Sequence, residues 1–198
     1  MKYPILLFDF DGVLAKTEDI FFQALNYSLE KLKEEPVSYD HFRRYSKYEL
    51  LQQRNYGKLK IALLILFAKS FMKSNIRRAA LHKDVFDVLK NQKQDKYIIS
   101  SNSIKNMKAL LKEENKYFKK IFSAKGFMGK EKIINQFPKT SLYITDEVRD
   151  IIECRKVGLT VAAVTWGFDS ENSLKKHRPD FLIKTPEELK SIFNLENE

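Results

Sequence analysis

Residues 5–14 read Ile-Leu-Leu-Phe-Asp-Phe-Asp-Gly-Val-Leu, an apolar run that ends in two carboxylates and a glycine. Residues 3–10 read as a strand in a sheet interior, where an unpaired carboxylate is costly. Asp9 and Asp11 stand two residues apart, so on an extended chain they point to the same side. Like charges that close resist joint ionisation, so one holds a proton or the pair needs a cation. A nucleophile beside an acid, with a hard metal ion between them, satisfies that arrangement. A calcium loop does not, because Val13 fills a position that needs an oxygen ligand and a strand precedes it where a helix should.

The rest of the chain says what surrounds this strand. Residues 17–34 read as a helix, with Ile20, Ala24, Tyr27, Leu29 and Leu32 loosely at helical spacing and Pro36 as its breaker. Residues 40–82 read as helical, with a break at Gly57. Short apolar strands then alternate with amphipathic helices: strands at 97–101, 121–123, 142–145, 161–164 and 181–183, helices at 103–113, 130–137, 148–157 and 186–194. That alternation predicts an α/β fold, a parallel sheet covered on both faces. The expected division is a core of residues 1–15 plus 83–198, interrupted after its first strand by an all-helical insert, residues 16–82.

At 198 residues the chain has room for one domain with such an insert. It holds 28 Lys against 8 Arg, for a formal net charge of +10. That excess suits either an anionic partner or a scattered, lysine-rich surface. The even spread of the lysines favours the surface, and nucleic acid is not an expected partner. A single cysteine, Cys154, excludes an intramolecular disulfide framework, and its helical neighbours Ile151 and Ile152 predict a buried thiol. The greasiest stretch, Ile61 to Ala68, is too short to span a bilayer and reads as a buried helix or a dimer contact. A soluble, cytoplasmic monomer or homodimer is the expectation.

In open parallel sheets the site lies beyond the carboxyl ends of the strands. The strand at 97–101 runs into Ser101-Asn102-Ser103 at a helix start, where hydroxyls and backbone N–H groups can seat a phosphate or simply cap the helix. Lys130 follows Gly129 and opens the next helix, where a cation opposes the helix dipole unless an anion is near; Lys132 is the competing candidate. The strand at 142–145 ends in Asp146, positioned as an N-cap, with Asp150 one helical turn on. Two stacked acids suggest a seat for Mg²⁺ rather than Zn²⁺, since the ligands are oxygen. Each feature alone is ordinary, but together they gather at one sheet edge.

These residues resemble the haloacid dehalogenase-like phosphohydrolase superfamily over nearly the whole chain. Asp9-Phe10-Asp11-Gly12-Val13-Leu14 is similar to its first motif, Ser101 to its second, Lys130 to its third and Asp146 through Asp150 to its fourth. The stretch Leu142 to Phe168 resembles the phosphoglycolate-phosphatase-like branch. The resemblance implies a Rossmann-like core with a helical cap inserted after the first strand. It implies Asp9 as nucleophile, forming an aspartyl phosphate, and Asp11 as the acid that protonates the leaving oxygen and then activates water. Ser101, with Asn102 beside it, and Lys130 would hold the phosphoryl group. Mg²⁺ would sit on Asp9, the Asp11 carbonyl and Asp146, with Asp150 steadying that seat. One position departs: Thr145 stands where the family pattern usually has glycine, and a β-branched residue is expected to crowd a close backbone approach.

The expected activity is therefore Mg²⁺-dependent hydrolysis of a small phosphorylated metabolite. Phosphoryl transfer asks a protein mainly for positioning and charge neutralisation, which these residue types provide. A phosphomutase on the same scaffold and a weakly active or non-catalytic binding protein are the alternatives. Carbon–halogen cleavage fits less well, having no leaving oxygen for Asp11 to protonate. Tyr39, His41, Arg43, Arg44, Tyr45 and Tyr48 are candidates for reading the organic part of a substrate or for a plain solvated helix face. His82 and His177 are expected at the surface, and Trp166 at the cleft rim or in the core.

Overall fold

A computed structural model describes residues 2–45, 50, 53–124 and 129–195. Strand β1 (Ile5–Phe8) leads through a tight turn to a two-residue strand β2 (Ala15–Lys16). Among the described residues helices α1 (Glu18–Lys31), α2 (Tyr39–Arg44) and α3 (Lys58–Asn75) follow. The chain returns through β3 (Ala80–Leu81) and α4 (Lys83–Lys90). Then come β4 (Asp95–Ser100), α5 (Ile104–Leu111), β5 (Lys120–Ser123) and α6 (Gly129–Ile134). The last elements are β6 (Ser141–Thr145), α7 (Val148–Lys156), β7 (Thr160–Val164), α8 (Glu171–Lys176), β8 (Phe181–Ile183) and α9 (Pro186–Phe193).

The large sheet is parallel throughout, in the order β5-β4-β1-β6-β7-β8. β1 is central because it is apolar on both faces, as a strand covered on both sides must be. Leu6 and Phe8 face one side with Ile98, Leu142, Ile144 and Val164, against α4, α5 and α9. Leu7 faces the other with Ile99, Tyr143, Val161 and Ala163, against Ile134, Ile151, Cys154 and Leu174. Phe8 meets Phe118 and Phe193 edge to face at 6.1 and 6.2 Å. The chain leaves β1 for β4 on one side and later crosses to β6 on the other. That reversal opens a crevice at the carboxyl ends, where such sheets bind ligands.

β2 and β3 pair antiparallel, Ala15 with Leu81 and Lys16 with Ala80. The helical segment therefore leaves and rejoins the sheet at one place. Its helices enclose their own apolar cluster of Leu29, Val37, Phe42, Leu50 and Leu64, which Phe168 joins from the loop after β7. α3 buries only Leu64 and leaves Ile65 and Leu66 exposed, so the stretch Ile61 to Ala68 is not a buried helix, and no helix among the described residues is long and apolar enough to cross a membrane. The strands lie within two residues of the sequence expectations. Helices α4 and α8 were not expected, and the two-residue strands of the β2–β3 ribbon are too short for a period to stand out. Tyr48 lies outside the described residues.

Both histidines expected at the surface are partly buried. His177 Nδ1 lies 2.8 Å from the Ser173 carbonyl. His82 sits where β3 passes into α4, its ring 6.3 Å from Trp166, and its Nε2 is buried with no hydrogen-bond partner among the described residues. Burial, with Lys16 nearby and only Asp84 opposing, pulls its imidazole down from 6.5 to about 4. Between those values the unfolded chain binds a proton that the folded chain refuses. The stability owed to neutral His82 is therefore full above pH 6.5 and lost as pH falls toward 4. Urea midpoints taken from about pH 7 down to about pH 4.5 should fall less steeply for His82→Gln than for the wild type. Parallel slopes would contradict the burial.

Candidate active site

β1 delivers Asp9 to the crevice one residue past its end. The register pairs Phe8 with Ile144, and the Asp9 N–H donates to the Ile144 carbonyl at 2.9 Å. Asp9 and the Thr145-Asp146 pair therefore leave the sheet side by side. Asp9 is buried; its Oδ1 accepts the Phe10 N–H at 2.7 Å, which fixes the carboxylate plane. Phe10 points into the core and anchors the loop between the two acids. Asp11 turns toward β4, where its carboxylate accepts from Asn102 Nδ2 at 3.2 and 3.3 Å and from Ser100 Oγ at 3.4 Å.

Lys130 joins the first and last of the predicted stations. Its ammonium is only 3% exposed and donates to Asp9 Oδ2 and Asp150 Oδ2, both at 2.7 Å. Asp150 Oδ2 also lies 3.1 Å from Tyr143 Oη and accepts the Thr145 hydroxyl at 3.0 Å. Burial pulls the Lys130 ammonium down, but Asp150 and Asp9 beside it outweigh that and hold it well above the usual lysine range. One ammonium cannot fully compensate two buried carboxylates. Burial pushes Asp9 up, to about 8, against the pull of Lys130 and with the repulsion of Asp150. Lys132, the competing candidate, is exposed to solvent.

Asp146 is fully buried against the loop that carries Asp9 and Asp11. A Cβ on Gly12 would fall 2.0 Å from Asp146 Oδ2, and one on Gly167 would fall 2.2 Å from it. The close approaches at this edge are thus made at Gly12 and Gly167, not at Thr145, where crowding was expected. Thr145 fits as an ordinary last strand residue, and its hydroxyl is hydrogen-bonded to Asp150 and to the Glu147 N–H. Asp146 Oδ2 accepts the Phe168 N–H at 2.7 Å. Asp146 does not cap α7. Asp169 does so from the loop after β7, accepting the Val148 N–H at 2.7 Å. That loop also receives Arg43 from α2 at the Gly167 carbonyl, and Phe21 of α1 meets Phe168 edge to face at 4.6 Å.

Ser101 is exposed just beyond β4, while Ser100 before it is buried and its Oγ accepts the Asn102 N–H. Ser103 caps α5 through Asn106 N–H. Asn102 Oδ1 accepts from Ser103 N–H and Asn106 Nδ2, so its amide nitrogen must face Asp11. Among the described residues no three acidic, histidine or cysteine side chains converge as a ready-made metal cage. A Mg²⁺ ion does not need one, since it keeps several waters and takes one or two carboxylates. The hard oxygen donors of Asp9 and of Asp146, which Gly12 lets lie against the loop carrying Asp9, suit that ion. Asp150 instead turns to Lys130. Sequence reasoning missed Ser100, Tyr143 and Asp169. Only Tyr143 carried a signal, standing two residues before Thr145 and hence on the same strand face.

Gly12 and Gly158 both adopt positive φ, +78° and +65°, but only Gly12 has neighbours that a Cβ would meet. Gly12→Ala should therefore cost about 2–4 kcal/mol and Gly158→Ala about 1 kcal/mol in urea denaturation. Equal costs would contradict the packing of Asp146 on this loop.

A family model for haloacid dehalogenase-like hydrolases matches residues 6–164 of this chain. A phosphoglycolate phosphatase of Synechococcus elongatus is 26% identical over 199 residues, covering 93% of this chain and 94% of the relative. A haloacid dehalogenase-like family hydrolase from Streptococcus pneumoniae superposes with a TM-score of 0.80 at 21% identity, covering 98% of this chain and 99% of its own. A predicted phosphatase from Clostridium acetobutylicum does so with a TM-score of 0.80 at 20% identity and the same coverage. At those identities the two structures speak for the fold.

Proposed function

This chain belongs to the haloacid dehalogenase-like hydrolase family, and from that premise we propose that it is a Mg²⁺-dependent phosphatase of a small phosphorylated metabolite, with Asp9 as its nucleophile. The observation that carries the reading is the buried Lys130 ammonium, which touches the carboxylate that would attack phosphorus. A carboxylate approaching a phosphate meets repulsion, and a fixed cation at the point of attack offsets it.

In this reading an Asp9 oxygen attacks phosphorus and the ester P–O bond breaks. Asp11 gives its proton to the departing oxygen, leaving an aspartyl phosphate and an alcohol. Asp11, now a carboxylate held by Asn102, takes a proton from water as that water attacks the same phosphorus. Phosphate leaves, and Asp9 is regenerated. Ser101 with Asn102 at the end of β4 and Lys130 opposite would hold the transferring group. Asp9, Asp146 and the Asp11 carbonyl would hold Mg²⁺, which when bound neutralises charge between carboxylate and phosphate.

Residues 16–82 act as a cap on a core of residues 1–15 and 83–198, because both linkers meet in the β2–β3 ribbon. Arg43 and Phe21 of that segment reach the loop that encloses Asp146, so the cap approaches the site from the side where a substrate's organic part would lie. A cytoplasmic setting goes with the lone, buried Cys154. Phosphoglycolate, the substrate in the name of the Synechococcus relative, is the first compound to try.

A chromogenic aryl phosphate assayed with and without Mg²⁺ tests the reading. The wild type should turn over only with the metal, and Asp9→Asn should lose about a thousandfold or more in kcat. Equal turnover by the two proteins would overturn it.

A further inference from the structure

We propose that Thr145 is a positioning residue for Lys130, acting through Asp150; the inference rests on the phosphatase reading above and deepens it. Asp150 is fully buried, and its two oxygens are unequal. Oδ2 lies within hydrogen-bond distance of Lys130 Nζ, Tyr143 Oη and Thr145 Oγ1 at 2.7, 3.1 and 3.0 Å. Oδ1 is buried and has no hydrogen-bond partner among the described residues. The orientation of the carboxylate thus depends on the donors at Oδ2 alone.

Those donors are not equally committed. The Tyr143 hydroxyl has one proton and two acceptors in reach, Asp150 Oδ2 and the Ile99 carbonyl at 3.3 Å. Lys130 is the group to be positioned, and it is shared with Asp9 at the same 2.7 Å. Thr145 is the committed donor. Its Oγ1 accepts the Glu147 N–H at 3.1 Å, which occupies a lone pair and leaves the proton for Asp150. Its β-branched side chain is stiff at χ1, and the residue is fully enclosed at the end of β6. The hydroxyl ties the first turn of α7, the end of β6 and Asp150 into one unit. Through that unit the ammonium is kept at the nucleophile. A glycine at this position would supply no such donor.

The test compares wild type, Thr145→Val and Thr145→Ser in aryl phosphate turnover with Mg²⁺ and in crystal structures. Thr145→Val keeps the shape and removes the donor. It should lower kcat by about 10- to 100-fold, the worth of one hydrogen bond to a buried charge, with KM little changed. In its crystal structure Asp150 should rotate and Lys130 Nζ should lie beyond hydrogen-bond distance of Asp9. Thr145→Ser should restore both the contact and most of kcat. Wild-type kcat in Thr145→Val would overturn the inference, as would a loss of kcat with the Lys130–Asp9 contact intact. Should Thr145→Val fail to fold, Thr145→Ala removes the same hydroxyl and is read the same way. If the wild type hydrolyses no phosphate monoester, the phosphatase reading fails, and the crystallographic comparison still decides the positioning role.

Discussion

A buried ammonium held between two buried carboxylates is the constraint on which this structure turns. Lys130, Asp9 and Asp150 come from three different elements, and each is almost wholly removed from water. Loss of the Lys130 ammonium would leave two buried carboxylates facing each other without a cation, and breaking a buried pair in this way typically costs about 3–5 kcal/mol. β1, α6 and α7 meet at this point. Stability and chemistry are linked here, because the cation that makes Asp9 tolerable is also the one that would draw a phosphate to it.

A second set of contacts brings Asp146 to the same place by different means. Lys130 makes its ion pairs with Asp9 and Asp150. Two glycines, Gly12 and Gly167, let Asp146 lie against the β1 loop, and the Phe168 N–H fixes one of its oxygens. The loop that supplies Gly167 and Phe168 also caps α7 through Asp169 and receives Arg43 and Phe21 from the helical segment. One short stretch thus touches the sheet edge, a helix start and the inserted helices together. Movement of those helices would be felt at Asp146 through Phe168.

Much of this was legible in the sequence, for physical reasons. The β1 run is apolar on both faces and ends in acids, a combination that only a central strand with a polar edge accommodates. Strands near 97, 121, 142, 161 and 181 stand out because each is short, β-branched or aromatic, and bounded by polar turns. The edge residues Asp9, Asp11 and Asp146 stand just past strand ends, and Lys130 and Asp150 in the first turns of the helices that follow. What was not legible depends on distant contacts. Asp169 replaces Asp146 as the cap of α7 only because the β7 loop folds back. His82 is buried by Trp166 from the other end of the chain. Thr145 looked like an obstruction because its position, and not its hydroxyl, was compared with the family pattern. Its partner Asp150 is near in sequence, but only the fold shows that one oxygen carries every donor.

The central claim is that phosphorus passes through the Asp9 carboxylate, and it can be tested at the atom. An acyl phosphate is reduced by borohydride to an alcohol, whereas a free carboxylate is not. Wild-type protein quenched during turnover of an aryl phosphate, reduced and digested, should yield the peptide spanning β1 with homoserine at position 9. Asp9 recovered intact, with reduction at any other carboxylate, would contradict the account.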